Sequence, residues 1–264
     1  ISQSGETADT LAALREANQA GAHTVSVVNV VGSTIANESQ SVLYTWAGPE
    51  IAVATTKAYS TQLVLLYAFG LYLADLRGAL TPDQYDGYLH ALMQLPEQLR
   101  EVLKLEPQLA ELAQRYAYLK DAYFIGRNID YAVSMEASLK LKEISYIHSE
   151  AYPAGELKHG TISLIEEGTF VMSIVCTESV IDKMISNMKE VRARGAEVLA
   201  LTTDEYAARV RAESDNVIAI PRTNALFMAS LEVVPLQLLS YHIAKARHCD
   251  IDKPRNLAKS VTVE

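Results

Sequence analysis

Apolar positions mark out alternating helices and strands along the chain. Over Thr7 to Ala20, Leu11, Leu14 and Ala17 fall on one helical stripe, and Gly21 ends it. Thr24 to Val31 is uncharged and rich in β-branched residues, the pattern of a buried strand. Gly32-Ser33 then reads as a turn and Val42 to Thr45 as a second short strand. Thr55 to Leu76 reads as a long apolar helix, Gly78 to Pro82 as a linker, and 83–119 as amphipathic helices. Further on, the pattern predicts strands at Ala122 to Gly126, Phe170 to Cys176, Glu197 to Thr202 and Val217 to Ile220. Helices are predicted at Tyr131 to His148, Asp182 to Arg194 (closed by Gly195) and Ala225 to Ala246. Strands alternating with helices imply βαβ units, and so an α/β fold with a parallel sheet flanked by helices.

The pattern also repeats. Leu14-Arg15-Glu16 with Gly21-Ala22 recurs as Met188-Lys189-Glu190 with Gly195-Ala196. Glu38-Ser39 with Val42-Leu43 recurs as Glu213-Ser214 with Val217-Ile218, and Gln62-Leu63 as Gln237-Leu238. Three dispersed matches at an offset of 174 or 175 residues point to a duplicated unit. The second copy starts near residue 90, so the counterpart of residues 90–175 would precede Ile1. The expected organisation is a first subdomain over 1–80 lacking its N-terminal half, a second over 81–248, and a tail over 249–264.

Composition narrows the partners. Of 264 residues, 49% are apolar and 21% charged, enough to bury a real core. Acids outnumber bases by 32 to 23, a net charge of −9, which argues against a nucleic-acid surface. The longest apolar run, Leu63 to Ala74, is 12 residues, short of the roughly 20 that cross a membrane. No signal peptide is visible. Cys176 and Cys249 cannot form a disulfide framework, so a cytoplasmic location is expected. The six histidines have no metal-ligand spacing with either cysteine, and there is no P-loop and no GxGxxG fingerprint, so neither a metal nor another cofactor is expected.

Four segments could carry chemistry. Ser2-Gln3-Ser4-Gly5-Glu6-Thr7 brings three hydroxyls and a glycine to a helix N-terminus, where free N–H groups and the helix dipole favour an anion such as phosphate; an ordinary N-cap is the alternative. Glu136, Lys140 and Glu143 share one helix face, either a solvated salt-bridge row or a carboxylate base held by an ammonium. His159, beside Gly160 in a loop, can move protons near neutral pH or be a plain surface residue. In the tail Pro254-Arg255-Asn256-Leu257-Ala258-Lys259-Ser260-Val261-Thr262-Val263-Glu264, Lys259 could attack a carbonyl to form an imine, or the segment could simply fray.

These segments carry a resemblance. Ser2 to Thr10 resembles the phosphate loop of the sugar isomerase (SIS) domain. The string Glu136 to Glu150, the segment Gly155 to Gly160 and the tail are similar to the isomerase half of the glutamine–fructose-6-phosphate aminotransferase family. The resemblance covers essentially the whole chain. It implies two SIS subdomains, each a three-layer αβα sandwich, the first of them incomplete. It further implies a homodimer that takes fructose 6-phosphate to glucosamine 6-phosphate. Ammonia would come from an N-terminal glutaminase domain that these residues do not supply. By the same resemblance Ser2, Gln3, Ser4 and Thr7 hold the phosphate, and backbone near Val53 and Ala258 touches the sugar. Lys259 forms an imine with the open-chain ketose, Glu143 moves the proton between C1 and C2, and Lys140 assists. His159 opens the ring and comes from the neighbouring subunit. Two positions depart from the family pattern: Thr161 stands where Pro is usual, and Thr55 where Ser is usual. Two other readings within the SIS domain family stay open, a deglycase of phosphorylated sugar–amine adducts and a non-catalytic phosphosugar sensor.

Overall fold

The structure is a computed structural model and describes residues 1–260. Two units divide the chain between Thr81 and Pro82, and the described residues from Asp252 to Ser260 belong with the first.

The first unit runs α1 (Ala8–Gln19), β1 (Val25–Val28), α2 (Thr34–Glu38), β2 (Ser41–Tyr44) and α3 (Lys57–Leu76). β1 and β2 pair in parallel, Val25 opposite Ser41 and Val28 opposite Tyr44. Ser2 forms a parallel bridge with Val28 on the other side of β1, so the chain start continues this small sheet. Val28, Ile35 and Ala36 form its buried centre, with Leu11 and Leu14 of the predicted α1 stripe packed against them. The five-residue α2 was not predicted, being too short to show a 3.6-residue period.

The second unit opens with two helices, α4 (Pro82–Leu103) and α5 (Glu106–Tyr116). Pro82, expected in a linker, is instead the first helical residue of α4, where its missing N–H costs nothing. Then follow β3 (Asp121–Gly126), α6 (Ile129–Ser145), β4 (His148–Pro153), β5 (Phe170–Val175), α7 (Ile181–Arg192), β6 (Glu197–Thr203), α8 (Ala207–Arg211), β7 (Asn216–Ile220) and α9 (Met228–Ala246). The five strands are all parallel in the order β4-β3-β5-β6-β7. α5 and α6 lie against α9 and α6 against the sheet. On the opposite face Ile181, Met184, Met188 and Val191 of α7 share a buried cluster with Tyr123, Ile125, Val171, Val198 and Ala200. Helices thus cover both faces, the three-layer arrangement expected for the second subdomain.

One predicted helix needs correction. Tyr131 to His148 is too long, because α6 stops at Ser145. Tyr146 takes the left-handed conformation (φ 61°) and its N–H bonds the Lys142 carbonyl, which closes the helix without a glycine. His148 instead begins β4, an edge strand absent from the prediction. At the other end of α6, only a glycine fits at position 126. A Cβ there would stand 2.5 Å from the Asp130 backbone, so Gly126 lets α6 start directly against the end of β3.

The repeat read from the sequence reappears as structure. The run α1-β1-α2-β2-α3 matches α7-β6-α8-β7-α9 element by element. The bridge of Ser2 to Val28 matches the pairing of Val175 to Thr202.

Candidate active site

In the first unit, the Ser2–Thr7 loop leaves the carboxyl end of the sheet and leads into α1, the edge at which open α/β sheets bind ligands. The Ser2 N–H bonds the Val27 carbonyl at 3.0 Å, and the Asn29 N–H bonds the Gln3 carbonyl at 3.2 Å. Inside the loop the Ser2 hydroxyl accepts from the Gly5 N–H at 3.1 Å and lies 3.2 Å from the Thr7 hydroxyl. The Ser4 hydroxyl accepts from the Glu6 N–H at 3.2 Å. Thr7 holds the N-cap position, yet its side chain makes no cap hydrogen bond; the hydroxyl turns to Ser2. The Gln3 and Ser4 N–H groups have no partner among the described residues. Gly5 sits at φ +69°, and a Cβ there would stand 2.0 Å from the Ser33 hydroxyl. Glu6 points away and is held by the Thr34 N–H (2.8 Å) and hydroxyl (2.7 Å), which keep its carboxyl below the usual value.

Lys259 lines the same crevice, a space of about 520 Å³ that it shares with Gln3, Ser4, Asn29, Trp46 and Glu50. Its Nζ lies 2.9 Å from Glu50 Oε2 and donates to the Ala52 carbonyl at 2.8 Å. Glu50 is the charged residue that sequence reasoning missed. Its side chain is only 4% exposed, and its other oxygen accepts from the Thr56 N–H (2.9 Å) and the Ala58 N–H (3.4 Å) at the start of α3. Burial acts to raise this carboxyl, but the Thr56 N–H, the Lys259 ammonium and the Ala58 N–H outweigh it and hold it below the usual value. Val53 is tied to the tail by its N–H, 2.9 Å from the Asp252 carbonyl, and Ala258 is exposed next to Lys259. The last four residues of the tail segment, Val261 to Glu264, lie outside the described residues.

In the second unit, the Glu136, Lys140 and Glu143 face of α6 is not a solvated row. The Lys140 side chain is 5% exposed, with Nζ 2.6 Å from Glu143 Oε2 and 3.6 Å from Glu136 Oε1. The angle leaves that Glu143 oxygen, itself buried, without a well-formed hydrogen bond among the described residues. Burial raises the Glu136 carboxyl, with Lys140 opposing. His159 ends a 3-10 turn (Ala154–His159), exposed and 3.8 Å from Glu156.

The second unit also has a crevice at the carboxyl edge of its sheet, of about 570 Å³, running across the ends of β3, β5, β6 and β7 and lined in part by Asn128, Thr177, Thr203 and Arg222. Here Asp130, fully buried, accepts from the Cys176 N–H (3.0 Å), the Thr177 N–H (3.1 Å) and the Thr177 hydroxyl (2.6 Å). Burial nevertheless raises its carboxyl. Among the described residues no group of three His, Cys, Asp or Glu gathers that could hold a metal ion. Nor is any described helix long and apolar enough to cross a membrane.

The SIS domain family matches residues 1–72 and 118–246, most of the chain. This chain belongs to the SIS domain family. Glutamine–fructose-6-phosphate aminotransferases (isomerizing) from Clostridium tetani and Symbiobacterium thermophilum are 52% and 54% identical to it over its full length. The chain spans 43% of the length of each. A solved structure described as the C-terminal domain of glucosamine-fructose-6-phosphate aminotransferase from Francisella tularensis superimposes with a TM-score of 0.93 at 38% identity. That match covers 96% of this chain and 71% of the other. This SIS chain therefore corresponds to less than half of the curated proteins it resembles.

Proposed function

We propose that this SIS chain is the isomerase portion of a glutamine–fructose-6-phosphate aminotransferase, binding fructose 6-phosphate and releasing glucosamine 6-phosphate. The observation that carries the reading is that Lys259 shares one crevice with Gln3 and Ser4, so an amine lies beside a loop with unpartnered N–H groups. The loop residues Ser2, Gln3, Ser4 and Thr7 take the phosphate, through N–H groups and hydroxyls at a helix N-terminus. Backbone at Val53 and Ala258 positions the sugar. The Lys259 amine adds to the C2 carbonyl of the open-chain ketose and water leaves, forming an imine that makes the neighbouring C–H more acidic. Glu143 then needs only modest basicity to carry a proton between C1 and C2, and Lys140 neutralises the charge that develops. His159, exposed on its turn, serves ring opening in a neighbouring subunit of a homodimer. Ammonia comes from a glutaminase domain in the complete protein, and the assembly works in the cytoplasm.

The test is a thermal-shift comparison on the full-length protein with fructose 6-phosphate, glucosamine 6-phosphate and unphosphorylated fructose. At a hundredfold excess over its dissociation constant, a ligand selective for the folded state adds roughly 2.7 kcal/mol. Both phosphosugars should raise the midpoint and fructose should not. Equal shifts with all three, or none, would remove the phosphosugar assignment.

A further inference from the structure

We infer that Glu50 is the acid–base partner of Lys259, holding its amine in the crevice and exchanging a proton with it as the imine forms; this rests on Lys259 being the imine-forming residue. Two features separate Glu50 from a helix cap. First, its oxygens are divided. Oε1 alone serves the start of α3 through Thr56 and Ala58, while Oε2 is directed at Lys259 Nζ, 2.9 Å away. Capping needs one acceptor, which a serine or threonine supplies; the second oxygen serves the lysine. Second, the carboxylate is almost fully buried while the lysine is 26% exposed. A buried carboxylate is costly unless it is paired. Here the paired lysine also lines the open crevice. The Ala52 carbonyl fixes Nζ from a second direction.

The chemistry requires such a group. The ammonium first gives a proton to Glu50 Oε2, and the freed electron pair forms the bond from Nζ to C2. A second nitrogen proton passes to the former carbonyl oxygen, giving a carbinolamine. Glu50 returns its proton to that hydroxyl, the C–O bond breaks, and water leaves as the nitrogen pair forms the C=N bond. Ammonium plus ketone thus yields iminium plus water, and Glu50 ends as it began.

The experiment is borohydride trapping with fructose 6-phosphate on the full-length protein, followed by mass mapping of the Lys259 peptide. Binding of glucitol 6-phosphate, which has no carbonyl, is measured alongside. If the unaltered protein is not labelled at Lys259, the imine assignment fails whatever Glu50 does. If it is labelled, Glu50→Gln, whose amide oxygen can still cap α3, should label about a hundredfold more slowly. It should bind glucitol 6-phosphate as the unaltered protein does. Glu50→Asp should recover part of the labelling rate. Equal labelling rates in the unaltered protein and Glu50→Gln overturn the inference. So does a parallel loss of labelling and glucitol 6-phosphate binding in both variants, which a purely structural role would give.

Discussion

The two sheet edges of this chain are built alike and partnered differently. In the first unit the segment after Ser2 leaves a parallel bridge to Val28; in the second, the segment after Val175 leaves a parallel pairing to Thr202. Both lead toward a helix, and both lie where α/β sheets present backbone donors. In the second unit an internal carboxylate, Asp130, already takes the Cys176 and Thr177 N–H groups. In the first, the matching Gln3 and Ser4 N–H groups meet no protein acceptor among the described residues, and the Lys259–Glu50 pair lines the crevice beside them. A duplicated fold supplies the same cradle twice. In the second unit a buried acid occupies the donors that the first unit leaves without a protein acceptor.

The comparison can be broken at its strongest point first. Asp130→Ala leaves three donors around Cys176 and Thr177 without their acceptor. Since a buried unsatisfied group costs about 1–3 kcal/mol, a loss of about 3 kcal/mol or more is expected in urea unfolding. A loss below about 0.5 kcal/mol would mean that the tie is not structural. Next, Gly5→Ala should cost about 2 kcal/mol, because φ +69° strains alanine and the added Cβ meets Ser33. Gly21→Ala, at φ +77° with open space around the same atom, gives the control for backbone strain alone.

Ser4→Ala should weaken fructose 6-phosphate binding about tenfold, or 1.4 kcal/mol, with little change in the ligand-free melting midpoint. Trp46, the only tryptophan among these 264 residues, lines that crevice, so a ligand-dependent change in its emission reports the titration. Unchanged affinity would detach the loop from the phosphate.

The gentlest probe is pH. Glu232 is fully buried beside the Cys176 thiol, and burial, then the Asp130 charge, raises its carboxyl well above 4.5, with the Cys176 contact opposing. Its native form keeps the proton that the unfolded chain releases. Its contribution is therefore complete below pH 4.5 and is lost as pH rises toward the native value, with a slope of at most about 1.4 kcal/mol per pH unit. Glu232→Gln should flatten that slope above pH 4.5 in urea titrations; an unaltered slope would place the titration elsewhere.

The readable parts of this chain were those where local pattern and tertiary environment agree. β5 and β6 are buried on both faces, so they show as largely apolar runs, Phe170 to Met172 and Val198 to Leu201. The Ser2–Thr7 loop announces itself by hydroxyls and glycine. β4 did not, because His148-Ser149-Glu150 is polar, and nothing in the composition of Ser145-Tyr146 tells a left-handed stop from one more helical turn. Helical spacing put Glu136, Lys140 and Glu143 on one face, but could not say whether that face met water or protein.

By itself the sequence determined the alternation of strands and helices, the duplication, the hydroxyl-rich loop and the carboxylate–lysine row. All of these follow from spacings of a few residues or from matching such spacings at a fixed offset. Only the tertiary structure decided the long-range pairings of buried carboxylates. Asp130 is 46 residues from Cys176 and Glu50 is 209 from Lys259. Hydrogen bonds at such separations are set by where the sheet ends and the helices begin, and no local pattern encodes them.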